Sequence, residues 1–191
     1  TNVVSLQRNA VKPDIRGLFL FLPFLILWFG GVVTHTGIAA QVALPFIFWC
    51  WVYAVLGGAA ARKIAPAIPM FFFAIPFWEF LTDFLRELVI LVMGLLLKIL
   101  GVPALIQGYH ITLVGGTLEV AGGCSGQNYL VSGLTISYFY AMSFLKQIKN
   151  RIFVIGLMIL LALLANWIRI FGLILIAHYK GVGHPLILNH G

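Results

Sequence analysis

The chain has 191 residues, of which 62% are hydrophobic and only 9% charged, with a net charge of +7. A soluble domain carries about 25% charged residues, so this chain cannot clothe a water-compatible surface and reads as a polytopic membrane protein. Two cysteines exclude a disulfide framework, and the basic excess does not signify nucleic acid, because most of the 12 basic residues form three islands between apolar segments.

The islands are Arg8, Lys12 and Arg16, then Arg62 and Lys63, then Lys146, Lys149 and Arg151. Under the positive-inside rule they mark cytoplasmic loops. Residues 17–33 are long for a cleavable signal and no small-residue cleavage site follows, so they predict a first transmembrane helix with its N-terminus inside. Residues 34–41 form an outer link, and 42–60 return to the second island; Pro45 is tolerable there because neighbouring helices re-satisfy the freed carbonyl. Cys50, in a Phe-Trp-Cys-Trp run, reads as packing.

A third crossing is expected over 67–81, rich in Phe and interrupted by Pro69 and Pro76. It meets a polar cluster of Glu79, Asp83, Arg86 and Glu87. Glu79, Asp83 and Arg86 share a helical face, and read either as a polar path or as a charge network at the outer interface. Residues 88–100 include Lys98 and are short for a span, so an extracytoplasmic, interfacial or re-entrant helix is expected, with a full crossing as the alternative. Since Lys63 and Lys146 should both face the cytoplasm, the crossings between them are even in number, the second at 129–144.

Between 103 and 123 the pattern is of two short strands around Gly115 and Gly116. An open hairpin cannot sit in lipid with unpaired edges, so it belongs on the outer surface or against protein. It delivers the chain to Gly122-Gly123-Cys124-Ser125-Gly126, where the small neighbours suit a presented nucleophile open to approach. Residues 152–167 then cross outward, which puts Arg169 roughly 27 Å above Arg151, near the outer boundary of a ~30 Å core and at the expected depth of Cys124. Residues 170–180 continue the helix, and the tail bends through Gly181, Gly183 and Pro185 to present His184 and His190.

A cysteine that attacks an amide needs a thiolate, a group that stabilises the oxyanion, and an acid for the leaving nitrogen. Arg169 offers a permanent charge, with an interfacial snorkelling anchor as its alternative role, and a histidine can move the proton. His178, His184 and His190 lack i, i+4 spacing and no HExxH occurs, so neither a metal site nor a cofactor is expected.

Residues 119–126 (EVAGGCSG) resemble the Cys-Ser-Gly signature of the exosortase/archaeosortase superfamily. Residues 166–170 (NWIRI) resemble its second signature, an Asn followed three residues later by the active-site Arg. The resemblance covers about the C-terminal two-thirds, including a helix over 76–91 and a hairpin over 101–119. It implies a membrane-embedded cysteine protease and transpeptidase of the bacterial inner membrane, active at the extracytoplasmic face. Its partners would be C-terminal sorting signals of the PEP-CTERM kind (a short Pro-containing motif, a transmembrane helix and a basic tail), membrane lipid and an acceptor amine. The exosortase branch is associated with a Cys-Arg-His set, here Cys124, Arg169 and His190, with His184 as the alternative histidine; the archaeal branch has Arg in place of His. Glu119, Ser125, Gly126 and Asn166 are the implied substrate-binding positions. The resemblance also implies a further helix after the histidine, whereas this sequence ends at Gly191.

The expected fold is an all-α polytopic membrane protein with five to six transmembrane helices, an interfacial helix and a short extracytoplasmic β-hairpin. It forms one integral membrane domain, a two-helix hairpin over 1–66 leading into a catalytic part over 67–191. Two other readings stand beside this one. Gly123 to Gly126 also satisfies the Gly-x-Ser-Gly pattern of rhomboid intramembrane serine proteases, with Ser125 and His178 as the pair. A small transporter or assembly subunit, with Arg169 binding an anion, is the non-enzymatic reading.

Overall fold

A computed structural model describes residues 13–188. Three of its helices are long and apolar enough to cross a membrane: α1 (Arg16–Val33), α2 (Gly37–Leu56) and α7 (Ile148–Lys180). The chain divides into two compact units, one through Phe77 and one from Trp78.

In the first unit α1 and α2 pair closely. Small residues let membrane helices approach backbone to backbone, where van der Waals packing replaces a hydrophobic drive. A Cβ on Gly17 would lie 2.5 Å from the Ala54 nitrogen, and one on Gly31 would lie 2.6 Å from that of Ala40. These contacts sit near opposite ends of α1, and between them Phe24 stacks on Phe46 with ring centroids 4.9 Å apart. Leu18, Phe19, Leu22, Ile26 and Phe29 of α1 are all more than half exposed, the outward apolar face of a helix solvated by lipid. Asp14 ties the start of α1 to α2, accepting from the Arg16 amide at 2.9 Å and the Tyr53 hydroxyl at 3.1 Å. Trp49 then fixes α3 (Gly58–Ile64) by donating to the Ala61 carbonyl at 2.9 Å.

The third crossing expected over 67–81 is not one helix. A 3-10 turn (Ala65–Ala67), the six-residue α4 (Ile68–Phe73) and a second 3-10 turn (Pro76–Phe80) occupy that stretch. Proline removes a backbone donor and crowds the preceding turn, and Pro66, Pro69 and Pro76 fall near the starts of these three pieces. The short helix expected over 88–100 is instead, through Ile99, the C-terminal part of the 19-residue α5 (Leu81–Ile99).

In the second unit α5 buries Leu85, Val89, Met93 and Leu97, one residue every four. Three antiparallel strands follow: β1 (Leu105–Gln107), β2 (His110–Leu113) and β3 (Gly116–Glu119), in the order β1-β2-β3. The strand β1 adds to the two expected ones, and the chain turns into β2 through Gly108 at φ 57°. Ile111 and Leu113 alternate inward from β2, while His110 and Thr112 point outward. The turn between β2 and β3 docks on the end of α7: a Cβ on Gly115 would lie 2.4 Å from the Ala177 oxygen, and Val182 donates to the Gly115 carbonyl at 3.3 Å.

The helix α6 (Gln127–Phe144) runs against the first half of α7, with Gly133 making room for Met158. Arg151 closes the connection, donating to the Leu145 carbonyl at 2.8 Å. At 33 residues α7 is about 50 Å long, well over the ~30 Å hydrocarbon core. Its distal residues Ile170, Ile174 and Ala177 join Val89, Met93 and Leu97 of α5, the inward face of the sheet, and Cys124 in one apolar core.

Candidate functional site

The site is built on the turn between β3 and α6. Val120 just beyond β3 is held at both polar backbone groups: its amide donates to the Tyr109 carbonyl at 2.8 Å, and its carbonyl accepts from Arg86 Nε at 2.8 Å. The chain then enters a 3-10 turn (Gly122–Cys124), closed by the Cys124 amide donating to the Ala121 carbonyl at 2.9 Å. Gly126 starts α6 at φ 89°, a left-handed conformation that L side chains adopt only with strain. Ser125 is 2% exposed, and its hydroxyl accepts from the Gln127 amide at 3.2 Å.

Asn166, on α7, reaches this turn from the other signature segment. Its Nδ2 donates to the Cys124 carbonyl at 3.1 Å, and the side chain is 1% exposed. A Cβ on Gly126 would lie 2.7 Å from that same Nδ2, so the glycine is required by space as well as by φ. Asn166, expected to touch substrate, is thus a support of the turn itself. Its Oδ1 is buried without a partner among the described residues.

Cys124 is not displayed on the surface. It is 7% exposed and lines a cavity of about 50 Å³ with Ile111, Val120, Ile170, Ile174 and Ile187. Of the flanking glycines, Gly126 serves a left-handed turn and a close approach, while a Cβ on Gly123 would meet nothing within 4 Å. On the other side of the turn a polar cleft of about 270 Å³ is lined by Thr82, Gly122, Gly123, Ser125, Gln127 and Asn128. The Thr82 hydroxyl donates to the Gln127 side-chain oxygen across it.

Arg169 is half-buried, one turn beyond Asn166 on α7 and next to the cavity-lining Ile170. Its guanidinium carbon lies 6.0 Å from the ring centroid of Tyr129 in the first turn of α6, and it has no carboxylate partner among the described residues. The second signature residue thus stands beside the helix that Cys124 leads into.

The remaining expected positions scatter. His190 lies outside the described residues. His184 sits at the bend before the short α8 (Pro185–Leu188), whose Ile187 reaches the Cys124 cavity. His178 lies twelve residues beyond Asn166, about 18 Å along α7, and its Nδ1 is buried without a partner among the described residues. Ser125 and His178 are not hydrogen-bonded to each other, so the pair required by the rhomboid reading is not assembled. Glu119 is 57% exposed, 3.7 Å from Arg86 and 3.9 Å from His110 directly across the sheet. Asp83 pairs with Arg86 at 3.7 Å, while Glu79 falls in the preceding 3-10 turn rather than on α5. No cluster of three His, Cys, Asp or Glu side chains fit for a metal occurs among the described residues.

Sequence reasoning missed His110 and gave Arg86 no place at the Cys124 turn. The signal for the first was weak but present: His110 and Glu119 stand symmetrically about Val114 and Gly115, the turn residues between the paired Leu113 and Gly116.

A family profile, Transmembrane exosortase (Exosortase_EpsH), matches residues 3–186. No curated protein and no solved structure matches the chain. With a match over nearly its whole length, and with both signature segments meeting at Cys124, this chain belongs to the transmembrane exosortase family.

Proposed function

We propose that the protein is a membrane-embedded cysteine protease and transpeptidase that cleaves C-terminal sorting signals through a thioester on Cys124. The observation that carries this reading is the Asn166 hydrogen bond to the Cys124 carbonyl, which unites the Cys-Ser-Gly segment with the segment that bears Arg169. Exosortases are in general a cysteine protease and transpeptidase class, and the resemblance at Cys124 and Arg169 extends that class to this chain.

In the proposed reaction the Cys124 thiolate attacks the scissile carbonyl carbon and a C–S bond forms. The guanidinium of Arg169 stabilises the oxyanion, whose charge is felt more strongly in a water-poor site. As the intermediate collapses, the C–N bond breaks and the departing amine takes a proton from a tail histidine, His190 or His184. Water or an acceptor amine then attacks the thioester and frees the thiol. The polar cleft on the far side of the turn suits the amide groups of a peptide. Entry to a thiol this buried runs past α8, a four-residue element whose opening breaks few backbone hydrogen bonds.

The same reading sets the depth of the site. Arg169 lies about 27 Å beyond Arg151 along α7, so the first part of α7 fills the membrane and the distal part emerges from it. The amphipathic α5 and the sheet pack on that distal part, which supports an interfacial, extracytoplasmic place for both. The crossings are then α1, α2, the broken stretch over 65–80, α6 and α7, with the N-terminus in the cytoplasm.

The test is a tagged reporter ending in a sorting signal, co-expressed with the protein. Cleavage is expected with the native chain and its loss with Cys124→Ala. Full cleavage by Cys124→Ala contradicts the reading.

A further inference from the structure

We infer that Arg86 is the positioning residue of the nucleophile turn, holding its entrance as Asn166 holds its exit. The inference rests on Cys124 being the nucleophile. Arg86 approaches four groups at once. Its Nε donates to the Val120 carbonyl at 2.8 Å, and its guanidinium carbon stands 3.6 Å from the ring centroid of Tyr109. Glu119 and Asp83 each lie 3.7 Å away.

These contacts differ in weight. The Asp83 and Glu119 side chains are 78% and 57% exposed, so both ion pairs are screened by solvent and contribute little. The bond to Val120 is short and charge-assisted, and the Arg86 side chain is only 15% exposed. The cation stacked on Tyr109 fixes the plane of the fork. What is fixed, then, is the carbonyl of Val120, whose peptide plane leads into Ala121. The carbonyl of Ala121 in turn accepts from the Cys124 amide. Asn166 holds the exit of the turn at the Cys124 carbonyl, and Arg86 holds its entrance.

An arginine is the residue for this task. The bond to Val120, the stack on Tyr109 and the approach to Glu119 need one planar group with donors on several edges, which a lysine ammonium does not provide. Arg86 touches no reacting atom and acts through the backbone ahead of Cys124.

The two cysteines give the test an internal control, because Cys50 lies in the first unit and Cys124 in the second. The full chain in lipid nanodiscs is labelled with N-ethylmaleimide at fixed pH, and labelling of each cysteine is followed by mass spectrometry. In Arg86→Met, labelling of Cys124 should accelerate about tenfold or more, as loss of a hydrogen bond to a charged group allows, while Cys50 keeps its native rate. Arg86→Lys should behave like Arg86→Met. Reporter cleavage should fall in both variants by about the same factor. Unchanged Cys124 labelling, equal acceleration at Cys50, or full rescue by lysine overturns the inference. Cleavage at the native rate by Arg86→Met, when Cys124→Ala is inactive, overturns it as well. Activity in Cys124→Ala would instead remove the protease reading and leave the labelling result to stand by itself.

Discussion

Asn166 Nδ2 donates to the carbonyl oxygen of Cys124 at 3.1 Å, across 42 residues of sequence. The two signature segments are therefore one structural object. The helix that bears Arg169 also shapes the turn that bears the thiol. Removing the amide in Asn166→Ala leaves a buried carbonyl without its donor, at a cost of about 1–3 kcal/mol. The unfolding midpoint in detergent should drop, and reporter cleavage should fall by at least about tenfold if the turn sets the attack geometry. Native cleavage by this variant would separate the turn from the chemistry.

The two glycines on either side of the Cys124-Ser125 pair should respond differently to a methyl group. At Gly126 a Cβ meets Asn166 at 2.7 Å and the backbone is left-handed at φ 89°, whereas at Gly123 nothing lies within 4 Å. Gly126→Ala should lose about 1–2 kcal/mol from backbone strain alone, with more from the clash. Gly123→Ala should stay within about 0.5 kcal/mol of the native protein. Thermal unfolding of both variants in the same detergent checks the order.

Arg169 should matter for rate more than for folding. Half-buried, it makes only a distant approach to Tyr129 in the present geometry. Arg169→Ala should lower cleavage about 100- to 1,000-fold, the range for loss of an oxyanion donor, with little change in the unfolding midpoint. Arg169→Lys keeps the charge but not the planar fork, and should recover only part of the loss. Full activity in Arg169→Ala would leave it as an interfacial anchor.

Ser125 separates the thiol from the hydroxyl chemistry. Its hydroxyl accepts from the Gln127 amide and meets no histidine. Ser125→Ala should cost about 1 kcal/mol of stability and keep cleavage within about tenfold of native, the factor carried by 1.4 kcal/mol. Abolished cleavage in a well-folded Ser125→Ala would revive the serine-protease alternative.

How far these features could be read in advance depended on whether their cause was local. The helices α1 and α2 follow from unbroken apolar runs, and the long α7 from a run that starts at a basic island. The breaks over 65–80 follow from Pro66, Pro69 and Pro76, yet that stretch is apolar enough to read as one unbroken helix. The burial of Cys124 was hidden because small neighbours are equally compatible with exposure and with a close approach. The packing of Ile111, Ile170, Ile174 and Ile187 around the thiol decides between the two. The place of Arg86 was hidden for the same reason: its partners Tyr109, Glu119 and Val120 lie beyond any helical or strand period, and folding alone brings them together.

The most direct test of the central claim is to trap the acyl-enzyme. The purified native protein is incubated with a tagged sorting-signal substrate, quenched in acid and digested, and the Cys124 peptide is examined by intact mass. The account predicts a hydroxylamine-labile adduct on Cys124 whose mass matches the N-terminal cleavage fragment, absent from Cys124→Ala. Cleavage that proceeds with Cys124 unmodified throughout, or an adduct on another residue, would contradict it.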